Sequence, residues 1–463
     1  MKGSGAKVKS KVMKQEILEK YNKPVPRYTS YPTVPFWDFS TIDSSIWISR
    51  MNQTLIDENG ELAIYIHLPF CEKLCTFCAC NKRITKNHKV ESPYIEAVLR
   101  EWQMYLAHME VKPVIREIHL GGGTPTFFSP ENLEYLISSI LKGVHIAEDH
   151  EFSIEVHPNS ANEKHFEVLG KLGFRRLSVG VQDFDPFVQE VINRYQDFDT
   201  TREVVNWARK YGFTDLNIDL VYGLPFQTLD SIKKSVTLVK KLNPQRIAYY
   251  SYAHVPWKSK VQRKFTKDDL PSAALKLQMY KSGSRALKAH GFESIGMDHF
   301  ALKEDKMYKA YTSGNLNRNF MGYSTTNTKV IIGLGASSIS DSWTAFVQNE
   351  KKVEDYQECI DRGAFPIING HALTEEDLQV RKQILELMCQ STMKVDANHD
   401  DLAFQAHVKA RLRTFEKDGL IKFKNGTISL EPSGQILVRH IASTFDKKLW
   451  GEMTNTEMFS RGI

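Results

Sequence analysis

Six short apolar runs alternate with longer segments of helical period over the first 252 residues. The runs are rich in Val, Ile and Leu and end in polar or glycine-containing turns, as buried strands do. They cover residues 63–68, 114–120, 151–156, 176–181, 215–221 and 246–252. Segments with apolar residues every three or four positions, which predict helices, cover residues 92–109, 130–141, 164–172, 200–211 and 229–242. The alternation predicts an α/β fold with a parallel, barrel-like sheet of (β/α)6 type and helices outside it.

The two flanks of this region have different patterns. The prolines and aromatic residues of 26–33 predict an extended arm on the surface. One helix-like start precedes this arm, and no element of regular period is expected between the arm and Ala63. Near the other end, Thr374 is a predicted helix cap and the Asn425-Gly426 turn predicts a hairpin, a combination typical of a winged helix. We therefore expect three parts, namely a tail and arm over 1–60, a main domain over 61–365 and a small, mostly helical, winged-helix-like domain over 366–463.

Composition fits an ordinary globular protein. The chain has 463 residues, 41% apolar and 25% charged, with a net charge of +6 that suits an acidic substrate but does not by itself indicate nucleic acid or a membrane. No apolar run approaches the roughly 18 residues of a membrane span. The basic N-terminus lacks an apolar segment, so we expect a solvated tail and not a signal peptide.

Polar and glycine residues gather where the predicted strands end. They are the cysteines of 71–80 after the first strand, Gly121-Gly122-Gly123 after the second, Glu155, Gln182-Asp183 and Asp219 at the next three, and His254 after the sixth. In a parallel barrel-like sheet the carboxyl ends of the strands carry the chemistry. The sequence therefore predicts a functional site at this edge.

Four of the six cysteines lie within ten residues, spaced Cys71-x3-Cys75-x2-Cys78 and followed by Cys80. Three thiolates at this spacing can hold three corners of an iron–sulfur cubane and leave the fourth iron open to a ligand. A structural zinc site that also uses Cys80 is the alternative, although the spacing of one residue between Cys78 and Cys80 is awkward for one tetrahedral ion. Clustered reduced thiols indicate the cytoplasm. Cys359 and Cys389 stand alone and are expected to fill the core.

The three-cysteine spacing resembles the signature of the radical S-adenosylmethionine (SAM) superfamily. Further motifs resemble the family of oxygen-independent coproporphyrinogen III oxidases, and the likeness runs from about Tyr21 to the end. These motifs are Cys80-Asn81-Lys82 and the segments 26–33, 118–126, 178–184, 217–225, 252–254, 296–300 and 459–461.

The resemblance implies an oxidoreductase of haem (porphyrin) biosynthesis with a radical SAM barrel, a [4Fe-4S] cluster and two SAM molecules. Members use a 5′-deoxyadenosyl radical to take hydrogen from the β-carbon of two propionate side chains of coproporphyrinogen III. Loss of CO2 and one electron from each leaves a vinyl group and gives protoporphyrinogen IX. A low-potential electron donor is implied. We expect a cytoplasmic monomer that binds neither nucleic acid nor a membrane.

The resemblance also implies roles for single residues. The cluster ligands are Cys71, Cys75 and Cys78. The cofactor-binding residues are Tyr65, Phe77, Gly122, Gly123, Thr124 and Glu155 for the first SAM, Gln182, Arg194 and Asp219 for the second, and Ala253 and Ile339 as backbone or apolar contacts. Cys80, Tyr65 and His67 are expected near the reacting atoms, with a core position as the alternative for Phe77 and His67 and a surface ion pair as the alternative for Arg194. The propionates are expected to meet Arg27, Tyr28, Gln262, Arg263 and Lys264, with a solvated charge pair as the alternative for Arg263 and Lys264.

Some positions depart from the family's pattern. Met321 stands where a glutamine is usual and His157 where an aspartate is usual, and the chain ends Arg461-Gly462-Ile463 without a β-branched residue before the isoleucine. Met321 puts contacts to the substrate or the second cofactor in doubt.

Other functions stay open at this point: another radical SAM enzyme of tetrapyrroles, a haem-trafficking relative, or a DNA-binding protein. Haem carriers of the superfamily lack the equivalents of Cys80 and of the 26–33 arm, and both are present here. The basic residues of the winged-helix-like domain are interleaved with acidic ones, which disfavours DNA binding.

Overall fold

The computed structural model describes residues 15–395, 401–451 and 458–460. The lysine-rich tail before residue 15 and the departure at 461–463 lie outside the described residues. The helices are α1 (Gln15–Tyr21), α2 (Ser44–Asp57), α3 (Glu91–His108), α4 (Pro130–Leu141), α5 (Glu163–Lys171), α6 (Pro186–Val191), α7 (Phe198–Lys210), α8 (Leu229–Lys241), α9 (Ala273–Ala289), α10 (Lys306–Thr312), α11 (Val353–Asp361), α12 (Glu375–Gln390), α13 (Leu402–Lys417), α14 (Val438–Ala442) and α15 (Lys447–Gly451). The strands are β1 (Glu61–Leu68), β2 (Phe70–Cys71), β3 (Arg83–Ile84), β4 (Val114–Gly122), β5 (His145–Val156), β6 (Phe174–Gln182), β7 (Asp215–Tyr222), β8 (Arg246–Ser251), β9 (Phe292–Ser294), β10 (His299–Leu302), β11 (Asn317–Asn319), β12 (Gly322–Ser324), β13 (Ile331–Leu334), β14 (Ile339–Asp341), β15 (Ala345–Asn349), β16 (Ile367–Ala372), β17 (Thr392–Lys394), β18 (Ile421–Lys424) and β19 (Thr427–Leu430).

Twelve strands form one sheet in the order β16-β15-β14-β13-β1-β4-β5-β6-β7-β8-β10-β9. The central strands from β13 to β8 run parallel, and the strands toward both edges pair antiparallel. The main core is a layer of fully buried side chains, such as Trp102 and Phe166, contributed by helices and strands together. The predicted partial barrel of parallel strands is confirmed, and β16 and β9 remain as its edges.

Two elements of this domain were missed in the sequence. β13 adds a seventh parallel strand beside β1. The expectation of no regular element between the arm and Ala63 is wrong, because α2 spans 44–57, with Asp43 accepting a hydrogen bond from the Ile46 N–H as its cap. The buried stripe of α2 is narrow, Trp47, Met51 and Leu55, and polar residues flank it.

The arm of residues 26–33 does not lie on the surface as predicted. Tyr28 and Tyr31 are each 3% exposed and join the core of the C-terminal helices. The Tyr28 hydroxyl donates to Asp446 at 3.0 Å. The chain terminus covers the arm as well, because the Val25 N–H donates to the Ser460 carbonyl at 3.2 Å. The aromatic residues of the arm are therefore packing residues that fix it between two parts of the chain.

The C-terminal region has the winged-helix features that the sequence predicts. β17, β19 and β18 form a separate three-stranded sheet, and Asn425 and Gly426 make the hairpin turn with positive φ angles of 51° and 74°. The predicted start of this region at residue 366 is too early, because β16 still pairs with β15 in the main sheet. No helix of the described ranges has the length and apolar character to cross a membrane.

The inner face of the sheet is polar and closed near its amino-terminal end. Glu117 on β4 accepts hydrogen bonds from Ser324 and from Thr328, the latter at 2.9 Å, and Glu151 on β5 accepts one from Thr325 at 3.0 Å. The loop after β12 thus plugs this end, and the open end of the barrel is the carboxyl end of the strands.

Candidate active site

The cysteine loop begins at the end of β1 and is anchored on two sides. The Leu74 carbonyl accepts from the Asn193 side chain at 2.8 Å, and the Thr76 N–H donates to the Ile192 carbonyl at 3.0 Å. On the other side, the Gln262 amide donates to the Phe77 carbonyl at 2.8 Å and the Ser259 hydroxyl to the Cys78 carbonyl at 3.0 Å. The segments after α6 and after β8 therefore hold the loop over the strand ends.

The three predicted ligand thiols lie in one group. Cys71 and Cys75 are buried and Cys78 is half-buried. Cys71 Sγ lies 3.3 Å from Thr124 Oγ1, and burial raises the pKa of the Cys71 thiol to about 11, with the neighbouring Cys78 and Cys75 adding to the rise. Across the described ranges, no three Cys, His, Asp or Glu side chains converge as the ligands of a single ion do. A cubane instead bonds each thiolate to a different iron, and this donor set of three neighbouring thiols on one anchored loop fits it.

Cys80 differs from the other three cysteines because it is exposed. Its thiol hydrogen-bonds to Cys78, which lowers the pKa of Cys78. Lys82 reaches back to the carbonyls of Cys78 and Cys80 at 3.3 and 3.2 Å. Lys82 entered the sequence analysis only as part of the Cys80-Asn81-Lys82 motif. The structure shows that it places a positive charge beside the thiols.

Tyr65 and His67 follow one another on the inner face of β1. The Tyr65 hydroxyl lies 3.0 Å from His67 Nδ1, and His67 Nε2 lies 3.0 Å from the Asn81 carbonyl. A carbonyl can only accept, so Nε2 carries the proton and Nδ1 accepts from Tyr65. Burial lowers the pKa of His67. Both ring nitrogens of His67 are engaged, Nδ1 by Tyr65 and Nε2 by the backbone at the end of the cysteine loop, so its place near the reacting atoms stays a prediction.

Glu155 ends β5 beside the glycine triplet. It accepts from the Gly122 N–H at 3.3 Å, and His119 Nε2 lies 3.4 Å from its carboxylate. Burial alone would raise the pKa of Glu155, but the hydrogen bond and charge of His119, with the Gly122 N–H, outweigh it and lower the pKa. Glu155 is therefore an anionic acceptor at the strand ends, as expected for a group that takes a cofactor amine or hydroxyl.

The glycines of the triplet leave space that no other residue would leave. A Cβ on Gly122 would lie 2.7 Å from the His67 ring, and Gly122 has a φ of +112°. A Cβ on Gly123 would lie 2.5 Å from the Pro69 carbonyl oxygen. These positions bring the backbone of the loop after β4 directly against β1 and the start of the cysteine loop.

Arg194, Gln182 and Asp219 meet at the ends of β6 and β7. Arg194 donates toward Cys75 Sγ at 3.6 Å and to the Gly180 carbonyl, so the alternative of a surface ion pair is wrong. Gln182 has a φ of +68° at a register shift between β6 and β7, a backbone outlier of the kind found at functional sites. Asp219 accepts from Ser178 at 3.0 Å and from Asn217 at 2.8 Å.

The pKa of the Asp219 carboxyl group is strongly raised. Burial, followed by the negative charge of Glu155, raises its pKa to about 7, despite the hydrogen bonds of Ser178 and Asn217 and the charge of Arg194. The group is consequently poised between its charged and neutral forms near neutral pH.

The remaining cofactor residues lie at the same edge. Phe77 is half-buried and packs against the small apolar cluster of Val188, Ile192 and Tyr252, and its contact with the first SAM stays a prediction. The Ala253 carbonyl accepts from Gln262 at 3.3 Å. Ile339 begins β14, and its carbonyl oxygen lies 2.3 Å from where a Cβ on Gly333 would be.

The residues predicted to contact the propionates differ in how accessible the structure leaves them. The hydroxyl of Tyr28 donates to Asp446. The side-chain amide of Gln262 is hydrogen-bonded to the backbone of Phe77, Ala253 and Val255. The structure therefore leaves neither group free for a carboxylate. Arg263 and Lys264 are exposed, in agreement with their solvated alternative. Arg27 is half-buried, and its guanidinium is 2.9 Å from Asp298 and 5.8 Å from the centre of the Tyr250 ring.

The two departures can be placed. His157 Nδ1 accepts from the Asn159 N–H at 3.2 Å, the capping role that an aspartate oxygen would also fill. Burial, with the charges of Arg194 and Lys73, lowers its pKa to about 2, so it is neutral. Met321 lies in the turn between β11 and β12, next to Phe320, whose ring packs edge-on against Tyr65 at 5.3 Å. This turn belongs to the site, and Phe320 was missed in the sequence.

The chain is similar to known proteins over nearly its whole length. Residues 65–239 match the Radical SAM superfamily. The oxygen-independent coproporphyrinogen III oxidase of Pseudomonas aeruginosa is 37% identical over 456 residues, 97% of this chain and 98% of that protein. The enzyme of the same name from Helicobacter pylori is 37% identical over 94% of this chain and 97% of its own length. The crystal structure of coproporphyrinogen III oxidase HemN from Escherichia coli, a radical SAM enzyme, superposes with a TM-score of 0.86 at 34% identity, covering 94% of this chain and 99% of that one.

Proposed function

Because the chain belongs to the family of oxygen-independent coproporphyrinogen III oxidases, within the radical SAM superfamily, we propose that it converts coproporphyrinogen III to protoporphyrinogen IX without O2. The reaction removes two propionate carboxylates by oxidative decarboxylation. The observation that carries the proposal is the anchored loop of Cys71, Cys75 and Cys78 at the carboxyl ends of a parallel barrel, within a full-length family match.

Cys71, Cys75 and Cys78 would hold a [4Fe-4S] cluster beside the residues that would bind SAM. When bound and reduced by a low-potential donor, this group supplies the electron that splits SAM and provides the 5′-deoxyadenosyl radical. Thr124 stands 3.3 Å from the Cys71 sulfur and can donate to its thiolate, and the loop contacts of Asn193 and Gln262 fix where the three sulfurs point.

The residues around the loop would bind and orient the first SAM. Gly122 and Gly123 let the backbone approach it, since a side chain at either position would collide with β1 or the cysteine loop. Glu155 offers an anionic oxygen for a donor group, and the Tyr65 ring forms a wall that is fixed by its hydrogen bond to His67. His67 is on this account a positioning residue.

A second SAM would lie toward β6 and β7, held by Gln182, Arg194 and Asp219. Ala253 and Ile339 would be backbone or apolar contacts to the two cofactors. The support is that Arg194 and Asp219 present one cationic and one acidic group at neighbouring strand ends. Cys80 would face the substrate, because it is exposed and hydrogen-bonds to Cys78 without being buried among the other thiols.

The test is an anaerobic assay of the reconstituted chain with SAM, a reductant and coproporphyrinogen III. Protoporphyrinogen IX should appear, detected after oxidation as protoporphyrin, together with CO2. Cys75→Ser should lose both cluster absorbance and turnover, whereas Cys359→Ser, a cysteine far along the chain, should keep both. Cleavage of SAM without loss of propionate carboxylates would contradict the oxidase assignment and favour another radical SAM function.

Cys80→Ser separates the two interpretations of the fourth cysteine. If Cys80 faces the substrate, the variant keeps the cluster's iron content and spectrum but loses turnover. Loss of the cluster itself would show that Cys80 is a ligand and would overturn the open-iron arrangement.

A further inference from the structure

Four cationic side chains from four separate elements converge beside the site. They are Arg27 of the arm, Lys276 in the first turns of α9, Arg318 of β11 and Arg439 of α14. Arg27 pairs with Asp298 at 2.9 Å, and Arg318 donates to the carbonyls of Arg27 at 3.1 Å and of Tyr28 at 2.6 Å. Lys276 Nζ donates to the Tyr252 carbonyl at 2.8 Å.

This cationic group faces the cofactor residues directly. The Lys276 side chain lies over Gly223, the residue that follows β7, where a Cβ would meet it at 2.8 Å. The Tyr250 ring lies between the two regions: Arg27 stacks on it at 5.8 Å, and the charges of Asp219 and Glu155 also act on its hydroxyl. A ligand that occupies the mouth of the barrel therefore touches both the cofactor edge and these cations.

The cations of the group repel one another. Asp298 is a carboxylate that acts on Arg27, Lys276 and Arg439. Burial, then repulsion from Arg439 and Arg27, lowers the pKa of Lys276 to about 7, and burial, then Arg27, lowers the pKa of Arg439 to about 10, so repulsion outweighs the attraction of Asp298 at both groups. Cations held close together and partly out of water favour an anionic ligand with more than one charge.

We propose that Arg27, Lys276, Arg318 and Arg439 form a carboxylate subsite that anchors the propionates which the substrate retains. The proposal rests on the proposed function, since it names the contacts of that substrate. A propionate that reacts must release its carboxylate as CO2, and a strong cationic clamp would oppose that loss. The clamp therefore suits the two propionates that are not lost, and it presents the other two toward Tyr65 and Cys80.

The subsite also explains why the arm is buried. Arg27 and Arg318 reach the subsite because the arm is fixed by the Tyr28–Asp446 hydrogen bond and by the two backbone carbonyls that Arg318 holds. The aromatic residues of the arm position the cation and do not themselves bind the substrate.

The test is the affinity for coproporphyrin III, the stable and fluorescent oxidised form, measured by anaerobic titration of the reconstituted protein. Lys276→Met, Arg27→Gln and Arg439→Gln should each raise the Kd at least about tenfold, and Lys276→Arg should retain binding. The matched controls Lys288→Met on α9 and Arg413→Gln on α13 are exposed and should leave the Kd unchanged. Arg27 is the least buried of the three tested cations, with 35% of its side chain exposed, so Arg27→Gln is the variant whose folding is least at risk.

Two further readouts identify a carboxylate clamp. The tetramethyl ester of coproporphyrin III should bind wild type and variants alike, and cluster absorbance and substrate-free cleavage of SAM should not change. Equal affinity of wild type and variants for coproporphyrin III, or equal weakening for the ester, would overturn the subsite. If the wild type fails to decarboxylate coproporphyrinogen III while the variants still lose affinity for the free acid, the proposed function fails and the subsite stands.

Discussion

Asp219 allows a quantitative test of how the site is charged before any cofactor binds. Its pKa rises from the ordinary 3.8 to about 7, mainly through burial and then through the charge of Glu155. A tenfold change in proton affinity is worth about 1.4 kcal/mol. Keeping Asp219 ionised in the folded chain at pH above 7 therefore costs up to about 4 kcal/mol of stability.

The sign follows from proton linkage. Between pH 3.8 and about 7 the folded chain holds the Asp219 proton more tightly than the unfolded chain does. The contribution of this group to the free energy of unfolding is complete below pH 3.8 and is lost as the pH rises to about 7. Asp219→Asn removes the titration, and the amide oxygen can still accept from Ser178 and Asn217.

We therefore expect the cofactor-free D219N chain to gain stability relative to wild type as the pH rises. The gain should approach about 1.4 kcal/mol per pH unit between pH 5 and 7 and level off above pH 7.5. Urea unfolding under anaerobic, reducing conditions at pH 5, 6, 7 and 8 measures it. Asp230→Asn, an exposed position on α8, should show no such pH trend. A stability difference between D219N and wild type that is constant with pH would refute the reasoning.

Two other substitutions probe the scaffold of the site. Gly123→Ala should prevent stable incorporation of the cluster, because the new Cβ would lie 2.5 Å from the Pro69 carbonyl oxygen. The iron content per chain after reconstitution measures this. The control Gly451→Ala, whose Cβ would meet no atom within 4 Å, should bind iron normally. Asp183→Ala should lower the free energy of unfolding by about 2–4 kcal/mol, because it leaves the buried donors of Gln227 and Ser235 without an acceptor. Denaturant unfolding measures this loss. A loss no larger than that of the exposed control Asp230→Ala would contradict the prediction.

The predicted cofactor side of the site could be located in the sequence because its polar residues stand at the ends of recognisable strands. Asp219 and Glu155 are polar residues in apolar runs, and the ends of parallel strands meet at one edge whatever the loops do. The cysteine motif can be recognised as well, because its residues lie within ten positions of the chain. Such features need only the period of the chain and the direction of the strands, and both are legible in a sequence.

The substrate side could not be predicted in this way. Lys276, Arg318 and Arg439 have no distinctive sequence around them, and their meeting depends on contacts between residues 42 to 163 positions apart. The sequence offers Arg263 and Lys264 as partners for the propionates, and the structure leaves both exposed. The signal that could have pointed to the right group is the buried character of α14, whose Arg439 is only 7% exposed.

The difference between the two halves of the site has a consequence for how the site assembles. The predicted cofactor residues lie on the strands of one sheet or on the segments that follow those strands, so most of this edge is in place once the sheet has formed. The cationic subsite needs the arm, α9, β11 and α14 together, and the arm is fixed by the hydrogen bonds of Tyr28 to Asp446 and of Val25 to Ser460. Loosening the arm should therefore weaken substrate binding and leave the cofactor edge intact. In such a protein, cleavage of SAM and decarboxylation of the substrate become separable properties, since one depends on the barrel and the other on the elements that close over it.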